Sequence, residues 1–188
     1  MSFVNLKDLP LGSATPERVN TIIEIPKGAR TKYEYDVHMG VFRLDRVLYA
    51  SMFYPTAYGF LPSTLAEDGD PADVLVLISE PLDVGVMVEA FPIGVLKMRD
   101  EKGEDDKVLA VAVHDRSYRE VRELEDVAED ELRIIEHFFR TYKTLERKDV
   151  VSQGWSPRSH AHRLIRAAQE RYAAQHAEMA AAAPARVK

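Results

Sequence analysis

Hydrophobic residues along the chain change rhythm once. From about Val19 to Val113 they come in short runs broken by Gly, Pro and charged turns, and beyond residue 120 they recur at helical spacing. In the first part, Val19–Ile25 reads as a strand bounded by Pro26 and Gly28. Lys32–Asp36 alternates charged with aromatic residues, the period of two expected of a half-covered strand. Val41–Leu48 also alternates. Phe42, Leu44 and Leu48 fall on one face, Arg43 and Asp45 on the other, and Arg46 intrudes on the apolar face. Val74–Ile78 is apolar on both faces, as a strand covered on both sides should be. Val86–Ala90, Ile93–Met98 and Lys107–Val113 read as further strands.

In the second part, Leu132, Ile135, Phe138, Phe139, Tyr142 and Leu145 form the stripe of an amphipathic helix. A second helix is predicted from Ser156-Pro157, an N-cap followed by proline at the first helical position. Its apolar face holds Ala161, Leu164, Ile165, Ala168 and Tyr172. The Ala-rich sequence beyond, 173–188, is expected to be a frayed, partly disordered tail on a single domain spanning 1–172. Strands first and helices last predict an α+β fold. Many short strands suggest a small closed barrel with C-terminal helices packed outside.

Composition narrows the function. The chain has 188 residues, 46% hydrophobic and 30% charged, enough for one domain with a sizeable core. Its 25 basic and 31 acidic residues leave a net charge of −6, against non-specific binding to nucleic acid or anionic membranes. There is no cysteine, which excludes disulfides, zinc–thiolate sites, iron–sulfur clusters and thiol nucleophiles. Met1 to Ser13 shows no signal-peptide pattern, and Val74–Ile78, the longest clean apolar run, is too short to span a bilayer. A soluble, cytoplasmic protein is expected.

The sharpest local feature is Asp68-Gly-Asp-Pro-Ala-Asp73, three carboxylates in a tight turn directly before an apolar strand. Oxygen-only ligands on a rigid loop suit Mg²⁺, although Asp, Gly and Pro are also ordinary surface-turn residues. An EF-hand is excluded, because its sixth and twelfth positions would be Asp73 and Ser79 rather than Gly and Glu. A haloacid-dehalogenase-type site is excluded because the strand follows the loop instead of preceding it. A second acidic turn, Asp100-Glu-Lys-Gly-Glu-Asp-Asp106, lies between two apolar strands. Alone it reads as a solvated hairpin turn; converging with the first at one mouth of a barrel, it would need cations to offset the repulsion. Lys32, Arg46, Tyr54, Tyr58, Lys107, Tyr142 and Lys143 supply cations and phenols suited to a phosphate, with Tyr142 equally placed to be core. The histidines fit no zinc pattern. Neither a phosphate-binding Gly-x-x-x-x-Gly-Lys loop nor a nucleophile elbow is present, so covalent catalysis is not suggested.

Ile23-Glu-Ile-Pro26, Lys32-Tyr-Glu34, Asp45-Arg46, Met52-Phe-Tyr-Pro55, Tyr58-Gly59, Asp68 to Asp73, Gly94-Val-Leu-Lys-Met98, Asp100-Glu101, Asp105, Lys107 and Tyr142-Lys143 occur in this order. Together they resemble soluble inorganic pyrophosphatases of the first family, in their bacterial form, over about residues 1 to 172. Ala72 departs from the pattern, which usually has a larger apolar residue there, at a packing position. The resemblance implies a five-stranded barrel of the oligonucleotide-binding type and Mg²⁺-dependent hydrolysis of pyrophosphate by a metal-activated water. It implies several Mg²⁺ per site and a homohexamer, with no nucleic-acid or membrane partner.

By matching position, the resemblance makes Asp68, Asp73, Asp100 and Asp105 metal ligands and Glu24, Glu34 and Glu101 an outer acidic shell. Asp70 would take the proton of the attacking water, with Tyr54 also at the catalytic centre. Lys32 and Tyr58 would hold the attacked phosphoryl group, and Arg46, Tyr142 and Lys143 the leaving phosphate. Tyr54 and Lys107 would complete the pocket. A non-catalytic divalent-metal-binding barrel is the alternative; it would explain the carboxylates but not the Lys, Arg and Tyr set.

Overall fold

A computed structural model describes residues 4–101 and 103–182. The elements run β1 (Val19–Ile25), β2 (Thr31–Asp36), β3 (Val41–Val47), β4 (Ala57–Phe60), β5 (Asp73–Leu77), β6 (Met87–Asp100), β7 (Gly103–Glu104), β8 (Lys107–Ala112), α1 (Glu129–Thr141), β9 (Val151–Pro157) and α2 (Arg158–Ala182), with short 3₁₀ turns between them. Strand pairing closes on itself. β1 is antiparallel to β4, β4 to β5, β8 to β6 and β6 back to β1, while β5 and β8 run parallel. The result is a mixed sheet containing a ring of five strands, with β7 and β9 added along β6. β2 and β3 form a separate two-stranded sheet.

The double-sided apolar pattern of β5 has a direct cause. Val74 and Val76 pack into one cluster with Ala161, Ile165 and Ala168 of α2. Leu75 and Leu77 pack into another with Ile135, Phe138 and Phe139 of α1. Successive side chains point to opposite faces, so a helix on each side requires a run without polar residues. Each such leucine contributes on the order of 2 kcal/mol by burial, and Leu75→Ala would cost about 2–5 kcal/mol. α1 carries Glu129, Asp130 and Glu131 in its first turn, where the positive end of the helix dipole favours them.

Several sequence expectations change. Val86–Ala90 and Ile93–Met98 belong to one 14-residue strand, β6, whose pairing with β8 shifts between Pro92 and Gly94. The irregularity absorbs both strand-breaking residues without ending the strand. Ser156 and Pro157 close β9 instead of capping a helix: Ser156 pairs with Val95 and Pro157 with Gly94. Leu44 is exposed, because β3 stands off the main sheet and its alternation does not mark a covered face. Leu145 is also exposed, in a 3₁₀ turn beyond the end of α1. α2 continues through the Ala-rich sequence to Ala182, as alanine's helix propensity allows. The last part of the expected tail, 183–188, lies outside the described residues.

Candidate active site

Strand register brings the two acidic turns together. Val74 pairs with Val108 and Leu75 with Leu109 in parallel. Asp73 and Lys107, one residue earlier on each strand, therefore stand side by side at the same end. Lys107 Nζ donates to Asp73 Oδ2 at 2.6 Å and to Asp105 Oδ1 at 2.8 Å. The β6–β7 hairpin sets Asp100 opposite Gly103, and the Asp105 amide donates to the Met98 carbonyl at 2.8 Å. The other acidic turn is fixed from within. The Asp70 amide donates to Asp68 Oδ1 at 3.1 Å, the Ala66 amide donates to the Asp70 carbonyl at 2.7 Å, and Gly69 takes φ 92°. That φ favours glycine.

Irregular pairing aims two further acids. The β1–β4 register shifts between Ile23 and Ile25, leaving Glu24 at the irregularity beside Tyr58, the partner of Ile25. The β2–β3 register pairs Lys32 with Arg46 but Tyr33 with Leu44, leaving Asp45 unmatched. Bulges of this kind re-aim side chains. Two cations directly opposite would repel, but Lys32 is hydrogen-bonded to Glu34 and lies 3.5 Å from Asp45. Arg46 Nε donates to Glu146 at 2.9 Å, and Asp45 contacts the same guanidinium. α1 ends at Thr141, with Tyr142 as its C-cap and Lys143 beyond the helix. Both therefore reach the same space, and Lys143 Nζ donates to Asp100 Oδ2 at 3.1 Å.

These elements enclose a cleft of about 260 Å³. Lys32, Arg46, Tyr58, Tyr142, Lys143, Glu24, Glu34, Asp68, Asp70, Asp73, Asp100, Glu101 and Asp105 all line it. Tyr142 lines the cleft and is also buried in the core cluster beneath α1. Tyr54 and Lys107, each 2% exposed, are not among the lining residues. Tyr54 packs its ring 4.8 Å from Phe138, 5.9 Å from Tyr58 and 6.4 Å from Tyr142. Its ring belongs to the core cluster beneath α1, and Tyr142, Arg46, Lys107 and Asp73 all act on its buried hydroxyl. Lys107 lies behind the wall, its ammonium 5.6 Å from the centroid of the Tyr58 ring. Lys7, Glu104 and Lys148 also line the cleft, and Glu146 orients Arg46 from outside the predicted set. Glu104 belongs to the second acidic turn, but nothing in the local sequence marked Lys7, Glu146 or Lys148, since their places depend on contacts between distant segments.

The crowding of carboxylates shows in their protonation. Burial, then the charges of Asp73 and Glu34, push the Glu24 carboxyl up to about 8 against the pull of the Tyr35 amide and Lys32. Burial also raises Asp105, with Asp73 adding to it and Lys107 opposing. Burial disfavours the Lys107 ammonium, but Asp73 and Asp105 outweigh it and hold that lysine well above its ordinary value. Lys143 is likewise raised against burial, by Tyr142, Asp100 and Asp105. Burial pushes Tyr58 well above the usual tyrosine range, reinforced by Asp73 and Asp105, and so keeps it a neutral donor.

Among the described residues, no three carboxylate or imidazole groups converge as a ready metal cage. Instead lysine ammonium groups stand between the acids, Lys107 between Asp73 and Asp105 and Lys143 on Asp100. The donor set is nevertheless all carboxylate oxygen, concentrated on two turns and already balanced by cations. That chemistry fits a hard divalent ion, which prefers oxygen ligands and retains several waters.

Known proteins are similar to this chain over most of its length. The pattern of the family described as inorganic pyrophosphatase matches residues 21–173. The inorganic pyrophosphatase of Thermus thermophilus is 49% identical over 171 residues, covering 89% of this chain and 98% of the relative. That of Methanosarcina mazei is 47% identical over 154 residues, covering 82% and 91%. The crystal structure of a Thermus thermophilus inorganic pyrophosphatase superposes with a TM-score of 0.89 at 48% identity, covering 90% of this chain and 99% of that one. The chain belongs to the inorganic pyrophosphatase family.

Proposed function

We propose that this cleft hydrolyses inorganic pyrophosphate to two phosphates by direct attack of water, with Mg²⁺ as its cation. The observation that carries the reading is one cleft in which carboxylates from two turns face Lys32, Arg46, Lys143, Tyr58 and Tyr142. A purely metal-binding module would not need five cationic and phenolic donors facing its carboxylates. Asp68, Asp73, Asp100 and Asp105 would hold the cations, with Glu24, Glu34 and Glu101 as an outer acidic shell. Bound cations would supply charge that lets these acids share the cleft with a pyrophosphate and would lower the pKa of the attacking water.

The chain's own groups account for the rest. Lys32 and the neutral Tyr58 hydroxyl bind the attacked phosphoryl group. Arg46, Tyr142 and Lys143 bind the leaving phosphate, where negative charge grows as the bridging bond lengthens. A water oxygen bonds to one phosphorus, the bond from that phosphorus to the bridging oxygen breaks, and the bridging oxygen departs with the second phosphate. The water proton passes to the Asp70 carboxylate, which stands at the tip of a turn fixed by its own backbone hydrogen bonds. Tyr54 supports the rings of Tyr58 and Tyr142 from behind, and Lys107 holds Asp73 and Asp105 apart.

The same reading takes the strand ring as a small barrel of the oligonucleotide-binding type. It takes the protein as a cytoplasmic homohexamer with pyrophosphate as its partner, and not nucleic acid or membrane. Among the described residues no helix is long and apolar enough to cross a membrane. The test is steady-state phosphate release from pyrophosphate in Mg²⁺. Asp70→Asn should lower kcat by about 10²–10⁴-fold, as expected on losing a general base. An Asp70→Asn variant with wild-type kcat would overturn the assignment.

A further inference from the structure

Ahead of residues 21–173, which match the family, a short N-terminal segment sends one charged side chain into the cleft. Lys7 sits in a 3₁₀ turn, Leu6–Asp8, capped by Asn5, whose side-chain oxygen accepts from the Lys7 amide at 3.1 Å. Three separate parts of the molecule hold that turn. The Ser63 amide donates to the Lys7 carbonyl at 2.7 Å, and the Ser63 hydroxyl donates to the Leu9 carbonyl at 2.7 Å. The Tyr172 hydroxyl, on α2, donates to Asp8 Oδ1 at 2.7 Å. The Leu6 amide donates to the Tyr35 hydroxyl at 3.2 Å, while Leu6 and Leu9 pack on the Ile22, Tyr35 and Phe60 cluster.

The consequence is a fixed ammonium beside the proposed base. Lys7 Nζ donates to Asp70 Oδ1 at 3.3 Å. The lysine side chain is 26% exposed and the aspartate side chain 67%. Hydrogen bonds within the turn fix the Asp70 backbone, but they leave its carboxylate free to rotate into solvent. The other cations lining the cleft are engaged elsewhere: Lys32 with Glu34 and Asp45, Arg46 with Asp45 and Glu146, Lys143 with Asp100 and Lys148 with Glu101. Lys7 is the cation placed to choose the rotamer of Asp70.

We propose that Lys7 is a positioning residue for pyrophosphate hydrolysis. The N-terminal segment acts as a strap that holds this ammonium against Asp70 and keeps the carboxylate turned toward the attacking water. The inference rests on the reading of Asp70 as the base. An exposed ion pair adds little to stability, so its value here is geometric. A base displaced by about 1 Å can cost up to ~10² in rate, and a rotamer released to solvent some fraction of the time should cost roughly tenfold.

The experiment is a cycle of four proteins in Mg²⁺: wild type, Lys7→Met, Asp70→Asn and the double variant, with Lys7→Arg as the conservative control. Methionine keeps an unbranched apolar stem and removes only the ammonium. Lys7→Met should lower kcat roughly tenfold with KM within about twofold of wild type, and Lys7→Arg should restore most of it. In the Asp70→Asn background the same change should have no further effect on kcat, because the group it positions no longer accepts a proton. Equal losses in both backgrounds, an unchanged kcat in Lys7→Met, or a loss confined to KM would each overturn the positioning role while leaving Asp70 as the base. Wild-type kcat in Asp70→Asn would remove the base itself and this inference with it.

Discussion

Replacing Lys107 by methionine isolates the electrostatic balance on which the cleft is built. The lysine is 2% exposed, and its ammonium is shared between Asp73 at 2.6 Å and Asp105 at 2.8 Å. The two acids raise its proton affinity against burial, so it is charged at neutral pH. Methionine keeps most of the apolar stem and removes the ammonium, which also lies 5.6 Å from the Tyr58 ring centroid and 5.7 Å from that of Phe139, leaving loss of the charge as the main change. Breaking a buried pair by removing one partner costs about 3–5 kcal/mol, because the remaining charge is desolvated without compensation. In a domain of this size each kcal/mol moves the melting temperature by about 2–4 °C, so the variant should melt about 6–20 °C lower in chelator. Mg²⁺ should recover more of that loss in the variant than it adds to wild type, since the acids that gained a free charge are the ones proposed to bind it. A cation at 100 times its Kd supplies about 2.7 kcal/mol. The assay is thermal melting of both proteins in chelator and in Mg²⁺. A variant melting within about 2 °C of wild type in chelator would refute the reasoning, because Asp73 and Asp105 would then not depend on the lysine.

Glu24 sets a pH dependence. Its folded pKa of about 8 lies above the ordinary value of 4.5, so the folded protein keeps a proton that the unfolded chain has released. Its contribution is full below about pH 4.5 and is lost as pH rises through about 8, so melting in chelator should fall across that window. Glu24→Gln should flatten the fall, and an unchanged slope would acquit Glu24. Gly59→Ala should destabilise by roughly 3 kcal/mol or more, because a Cβ there would lie 1.9 Å from the Ile22 carbonyl oxygen of the paired strand. A variant that melts like wild type would show that β1 and β4 separate there at little cost.

What the sequence revealed depended on the range of the signal. β1 was legible at its observed bounds because Pro26 and Gly28 punctuate a run rich in β-branched residues, Val19, Thr21, Ile22, Ile23 and Ile25. β4 and β9 were not. Ala57–Phe60 is only four residues long, and Val151–Pro157 carries Ser, Gln, Gly and Pro; partners create these strands rather than local preference. Ser156-Pro157 carried a good helix-start signal one residue too early, and pairing with β6 overrode it. For the site, the acidic turns were visible as chemistry, and the ordered motifs named the cations opposite them. Their convergence was not visible, since it follows from the parallel β5–β8 register and the irregularity at Glu24. Lys7 and Glu146 were invisible for the same reason, as each meets its partner only through tertiary contacts: residues 7 and 70, 46 and 146.

Phosphate release from pyrophosphate by the wild-type protein, first in excess chelator and then after Mg²⁺ is restored, tests the central claim most directly. The account predicts no release above the uncatalysed rate in chelator, full recovery with Mg²⁺, and poor turnover of ATP in the same Mg²⁺ buffer, because a cleft closed around both ends of pyrophosphate excludes a nucleoside. Undiminished hydrolysis in chelator, or no hydrolysis of pyrophosphate under either condition, would contradict it.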